Sequence, residues 1–188
     1  VELSFYANAG QPYHLWIRGK AQGNSPYNDS VHVQFSGSVN SSGSAIYRIG
    51  TSSSTEINLE DCFGCGVSGW GWQDNGWGVG ELGPLVYFAT SGTHTLRIQP
   101  REDGFSLDQV VLSPKEFANT SPGAVVNDNT ILPTSDGSGP PPPPPPPSEV
   151  VLYASEGTLV GNYQVISDAT AAGGARLHNS DAGAAKLS

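Results

Sequence analysis

The chain has 188 residues, a formal net charge of −9 and only 13% charged residues. It therefore lacks the basic surface that nucleic-acid binding needs. No apolar run approaches the ~18 residues of a membrane-spanning helix. With 24 Gly, 15 Pro and abundant Ser, Thr and Asn, the composition points to an extracellular β protein built from short strands and turns. The chain does not begin with Met and shows no signal-peptide pattern, so we expect a mature or excised segment of a secreted or cell-surface protein.

Glu2 to Ala7 alternates apolar and polar side chains and predicts a strand, followed by a turn at Ala9-Gly10-Gln11-Pro12. Tyr13 to Arg18 alternates again, with Tyr13, Leu15 and Ile17 on one face and His14, Trp16 and Arg18 on the other. Gly23 to Asn28 reads as a loop. Ser30 to Phe35 is a third period-two strand, Ala45 to Ile49 a fourth, and Glu56 to Leu59 a weak one. Cys62 to Leu85 is a long Gly- and Trp-rich loop, and loops of that length in a compact domain are usually functional or disordered. Leu85 to Ala89 and Thr93 to Pro100 predict strands. A turn at Glu102-Asp103-Gly104 leads into a last strand from Phe105 to Leu112. No stretch carries a 3.6-residue period. Seven or so short strands with regular turns predict an all-β fold, an antiparallel β-sandwich of jelly-roll type.

From Lys115 to Ser148 the chain is polar and irregular and reads as an extended linker. It contains eight consecutive prolines, Pro140 to Pro147. Proline fixes φ and removes a backbone donor, so this run predicts a polyproline II rod of roughly 25 Å. Beyond it, Glu149 to Ala154, Asn162 to Ile166 and Ala175 to His178 read as strands. The chain thus divides into residues 1–114, 115–148 and 149–188.

Three passages resemble the carbohydrate-binding modules of families 6 and 35. The first joins Ala9-Gly10 and Tyr13-His14-Leu15-Trp16-Ile17-Arg18 to Asn28-Asp29-Ser30-Val31-His32-Val33-Gln34-Phe35. The second runs from Gly92-Thr93-His94-Thr95-Leu96-Arg97-Ile98 through Arg101-Glu102-Asp103-Gly104-Phe105 to Leu107-Asp108-Gln109-Val110-Val111-Leu112. The third is Val151-Leu152-Tyr153-Ala154, Gly161-Asn162-Tyr163-Gln164-Val165 and Ser167 to Gly174. The third passage opens the sandwich in that family, yet here it comes last. The resemblance therefore implies one period of a tandem repeat, with the opening strands of each sandwich supplied across the polyproline linker by a neighbouring copy. Truncation or circular permutation would produce the same order. Strand exchange between copies would build a linear extracellular fibre, and the rival is a free-standing binding module on a larger secreted protein.

The resemblance also implies a structural Ca²⁺ near the junction of first and last strands, with Asp108 as the last-strand ligand and Glu156 as a first-strand candidate. Glu102, Asp103, Asp29 and Asp168 are further candidates, since Ca²⁺ takes six to eight hard oxygen ligands. Asp103 serves equally as a hairpin residue, and Asp29 as a loop cap. Trp70, Trp72 and Trp77, with Asn75 among them, carry the stacking and hydrogen-bonding chemistry of a sugar platform. The same tryptophans also suit an inter-repeat contact or a mini-core. Cys62 and Cys65, the only cysteines, are expected to form a local disulfide in an oxidising compartment. Sequons at Asn28, Asn40 and Asn119 are possible glycan attachment points. His14, His32 and His94 fall at outward strand positions and are expected at the surface. No carboxylate pair or nucleophile motif stands out, so we expect no enzyme.

Overall fold

Strands form wherever the alternating stretches can bury one set of side chains. A computed structural model describes residues 1–134 and 149–180; the proline run at 140–147 lies outside the described residues. The strands are β1 (Glu2–Ala7), β2 (His14–Ala21), β3 (Ser30–Phe35), β4 (Ser38–Val39), β5 (Thr55–Asn58), β6 (Gly71–Gln73), β7 (Tyr87–Phe88), β8 (Gly92–Pro100), β9 (Phe105–Ser113), β10 (Val150–Tyr153), β11 (Gln164–Ser167) and β12 (Ala175–His178). One sheet has the order β1-β8-β3-β5. The other runs β11-β12-β9-β2-β6, with β10 also on β9, and β4 and β7 form a small ladder. The ladders are antiparallel, and the fold is an all-β sandwich. Among the described residues no helix is long and apolar enough to cross a membrane.

The expected strand at Ala45 to Ile49 is instead an irregular turn held by single bridges from Ala45 and Arg48. Tyr47 has φ of +49°, outside the extended region that a ladder requires. Conversely, β6 emerges from within the stretch read as one long loop, pairing Gly71 to Gln73 with Gly19 to Ile17.

Every residue of β9 is buried. One edge of this strand pairs with β2 from His14 to Ala21, through a bulge at Arg18 and Gly19. The other edge is shared end to end. Val150 to Tyr153 of β10 pair with Leu112 to Gln109, and Leu177 and His178 of β12 pair with Leu107 and Ser106. The strands expected to open a neighbouring sandwich thus close this one within a single chain.

The inward residues of both sheets make one core, in which Phe88 meets Phe5, Phe35 and Tyr13 edge to face at 5.4–5.9 Å between ring centres. A second apolar cluster, Trp16, Trp72, Val111 and Val151 with Phe117 and Leu132 packed on it, lies on the outer face of the larger sheet. It exists because residues 115–134 lie on that face and are not a free linker. Their polar backbone is satisfied by side chains beneath: the indoles of Trp16 and Trp72 donate to Phe117 O and Thr130 O, and Gln109 donates to Leu132 O. This layer also buries His14, which stacks on Trp16 at 4.6 Å and touches Asp74 through Nε2 at 2.6 Å. His94 is buried as well, its ring nitrogens 3.0 Å from Ser36 O and Thr90 O. Only His32 of the three keeps part of its surface in solvent.

Residues beyond the proline run should therefore count towards stability. Leu177→Ala, at a fully buried position, is expected to cost about 2–5 kcal/mol in urea unfolding. Leu159→Ala, on the surface of the same segment, should stay within about 0.5 kcal/mol.

Candidate functional site

Two of the six acidic candidates come together. Asp29 immediately precedes β3, and Glu102 sits in the turn between β8 and β9. Gly104 permits that meeting: its φ is +85°, and a side chain there would lie 2.7 Å from Asn28, so only glycine fits. The backbone N–H of Asp29 donates to Glu102 Oε2 at 3.0 Å, and that of Glu60 donates to Asp29 Oδ2 at 3.1 Å. Asp29 is 1% exposed and its Oδ1 has no hydrogen-bond partner. Burial, and then the adjoining Glu102 carboxyl, push the Asp29 carboxyl up to about 8. Glu60 was not singled out in the sequence. Its Oε1 accepts from Gly64 and Gly66 at 3.1 and 3.0 Å, tying the acidic pair to the loop closed by the Cys62–Cys65 disulfide. The local signal was the run Glu60-Asp61-Cys62.

The other acids lie apart. Asp108 is fully buried, bonded through Oδ2 to Arg18 Nη1 and accepting from the Ala172 N–H at 2.7 Å. Burial pushes it up to about 6 in spite of Arg18. The guanidinium also donates to Asp128 O at 3.1 Å and stands over Trp70 at 4.8 Å, so the positive partner of Asp108 is an arginine. Asp168 accepts from the Thr170 hydroxyl and N–H and sits 3.1 Å from Arg176. Those contacts, the Thr170 hydroxyl first, hold its carboxyl below the usual range. Glu156 is exposed and Asp103 half-buried. Among the described residues no group of three or more His, Cys, Asp or Glu side chains gathers as a ready metal set. A cation at Asp29 and Glu102 would thus need backbone oxygens as well, which Ca²⁺ accepts.

The tryptophan stretch does not form a platform. Trp72 is fully buried in the second cluster, and Trp70 is 4% exposed with its indole bonded to Thr170 Oγ1 at 3.0 Å. Both are packing residues. The reason lies in Gly71, where a side chain would come within 1.9 Å of Val125 O: the covering layer rests directly on β6. Asn75 is held by Thr55 and Pro84 at 3.2 Å. Trp77 alone of the three remains open, at 54% exposed.

Comparison with protein-family models, with curated proteins and with solved structures finds no match to this chain.

Unfolded, Asp29 titrates near 3.8; folded, near 8. Between these values the folded state holds a proton that the unfolded chain has lost, so this group makes stability fall as pH rises, levelling off above about 8. Asp108 acts the same way only up to about 6. In chelator, the stability difference between Asp29→Asn and wild type should therefore shift in favour of the variant from pH 6 to pH 8, read from urea midpoints. A difference that stays constant over that interval would discount Asp29 as the titrating group. Separately, Trp72→Ala should cost about 3–5 kcal/mol, and Trp77→Ala no more than about 0.5 kcal/mol.

Proposed function

We infer that this chain is a non-catalytic structural unit of an extracellular fibre, a calcium-stabilised repeat resembling carbohydrate-binding-module sandwiches. The observation that carries this reading is the shared edge of β9. Residues 149–180 contribute all the strands on that edge, and they join the rest only through residues 135–148. A body with one open edge and a tethered strand segment that fits it is self-complementary, within a chain or between chains. Passing the segment to the next copy gives a head-to-tail, linear assembly and leaves neither edge of β9 unpaired along the fibre. Eight consecutive prolines between the two parts favour spacing over doubling back, because each has a restricted φ and no donor. The Cys62–Cys65 disulfide suits an oxidising extracellular compartment.

Calcium enters at Asp29 and Glu102. The buried, unpartnered Asp29 Oδ1 beside a second buried carboxylate fits a hard cation that accepts backbone oxygens too. Arg101 Nη1 already lies 3.4 Å from Glu102 Oε1, and a bound ion would supply the positive charge that Asp29 lacks. It would hold the β8–β9 turn to the loop before β3.

The second reading is a carbohydrate-binding module of a larger secreted protein. The exposed ring of Trp77 favours it, since an open aromatic face stacks on a sugar ring. Trp70 and Trp72 no longer contribute to it.

Electron microscopy and size-exclusion chromatography of the purified chain over a concentration series, with calcium and with chelator, test the fibre reading. Filaments or concentration-dependent oligomers that shorten in chelator are expected. Monomers at every concentration, indifferent to chelator, would overturn both strand exchange and the calcium role.

A further inference from the structure

We propose that Asn40 is an attachment site for an N-linked glycan, and that the fold selects it from the three sequons of the chain. These are Asn28-Asp29-Ser30, Asn40-Ser41-Ser42 and Asn119-Thr120-Ser121. In the transfer, the asparagine Nδ2 attacks the anomeric carbon of a lipid-pyrophosphate oligosaccharide. A C–N bond forms, the bond from that carbon to the pyrophosphate oxygen breaks, and the lipid pyrophosphate leaves with the electron pair. The amide gives up one of its two protons. The acceptor nitrogen must therefore be free, and the folded chain must leave room for a bulky, solvated product.

Asn28 fails on both counts. It is 6% exposed, and its Nδ2 donates to Gln22 O at 3.2 Å. The same nitrogen would lie 2.8 Å from a side chain at Gly104, so the β8–β9 turn leaves no space for a sugar. Asn119 is exposed, but among the described residues it makes no bond with the hydroxyl of its own sequon. Ser121 precedes Pro122, which favours extended backbone, and its Oγ accepts instead from the Gly123 N–H at 3.3 Å.

Asn40 meets every requirement. Its Oδ1 accepts from the Ser42 N–H at 3.0 Å, the Ser42 hydroxyl at 2.8 Å and the Ser44 N–H at 2.9 Å. This is an Asx turn, closed by the side chain onto the backbone two residues on. The Asn40 N–H also donates to Ser44 O, and the Gly43 N–H to Asn40 O, both at 2.9 Å. Nδ2, on the other side of the amide carbon, makes no hydrogen bond among the described residues. Ser41 to Ala45 are all exposed, so solvent surrounds the turn. The sequon hydroxyl and the asparagine are thus already engaged, and the nitrogen is open.

This site rests on the extracellular reading, because the transfer takes place along the secretory route. It needs neither calcium nor strand exchange. The test is secretion of the 188-residue chain from insect cells behind a signal peptide, then peptide-N-glycosidase digestion in heavy-oxygen water and peptide mass spectrometry. The enzyme converts a glycosylated asparagine to labelled aspartate. Label is expected at Asn40 and not at Asn28 or Asn119. Ser42→Ala, at an exposed position, should abolish the label, and Ser42→Thr should retain it. The proposal fails if Asn40 is unlabelled, if Asn28 or Asn119 is labelled to the same extent, or if Ser42→Ala keeps the label. Filaments of unlabelled chain would overturn this site alone, and a labelled chain that stays monomeric in calcium would overturn the fibre alone.

Discussion

The sandwich depends on β9 having partners on both edges. This strand is buried along its whole length, and a buried N–H or C=O left without a partner costs as much as a lost hydrogen bond or more. β2 satisfies one edge and the segment beyond the proline run satisfies the other. Removing that segment would also uncover Leu107, Val110 and Leu112 from the core and Val111 from the outer cluster. Chain connectivity is the weaker constraint: the edge must be filled, while the copy that fills it is open.

The interior carboxylates show two ways of tolerating a charge away from water. Asp108 has a guanidinium and a backbone N–H, and its surroundings reach into the Trp70 ring and the Asp128 carbonyl. The Asp29 carboxylate accepts only the Glu60 N–H and has beside it a second acid, to which the one nearby guanidinium, Arg101, is paired, so it keeps either a proton or a cation. The difference follows from position. Arg18 reaches Asp108 across adjacent strands of one sheet, whereas Asp29 and Glu102 meet where two loops converge at the end of the other.

Most strands were legible because one face of each is buried and the period of two survives in the sequence, as in β3 and β8. What escaped was burial on both faces. Trp16, Arg18 and His14 occupy the outward positions of β2, and period-two reasoning assigns those to solvent. The layer that covers them, residues 115–134, has no periodicity of its own, since it is held by side chains reaching up from the sheet and by a few backbone bonds at β6, such as Trp72 N–H to Ala124 O and Asp128 N–H to Trp70 O, and not by a regular ladder. The same layer hid Trp72. Asp29 and Glu102 were visible as acids next to turns, but their contact depends on a loop meeting 73 residues away in sequence. The row of Lys20, Ser106 and His178 across β2, β9 and β12 joins residues from both sides of the proline run, and nothing local signals it.

That row has a consequence for assembly. Lys20 and Ser106 belong to the body of the sandwich, while Arg176 and His178 belong to the tethered segment. The bonds that Ser106 makes with Arg176 and His178 form only when the two parts are together. Within one chain they act as a clasp on a folded monomer. Between copies they would act as a cross-link at each joint.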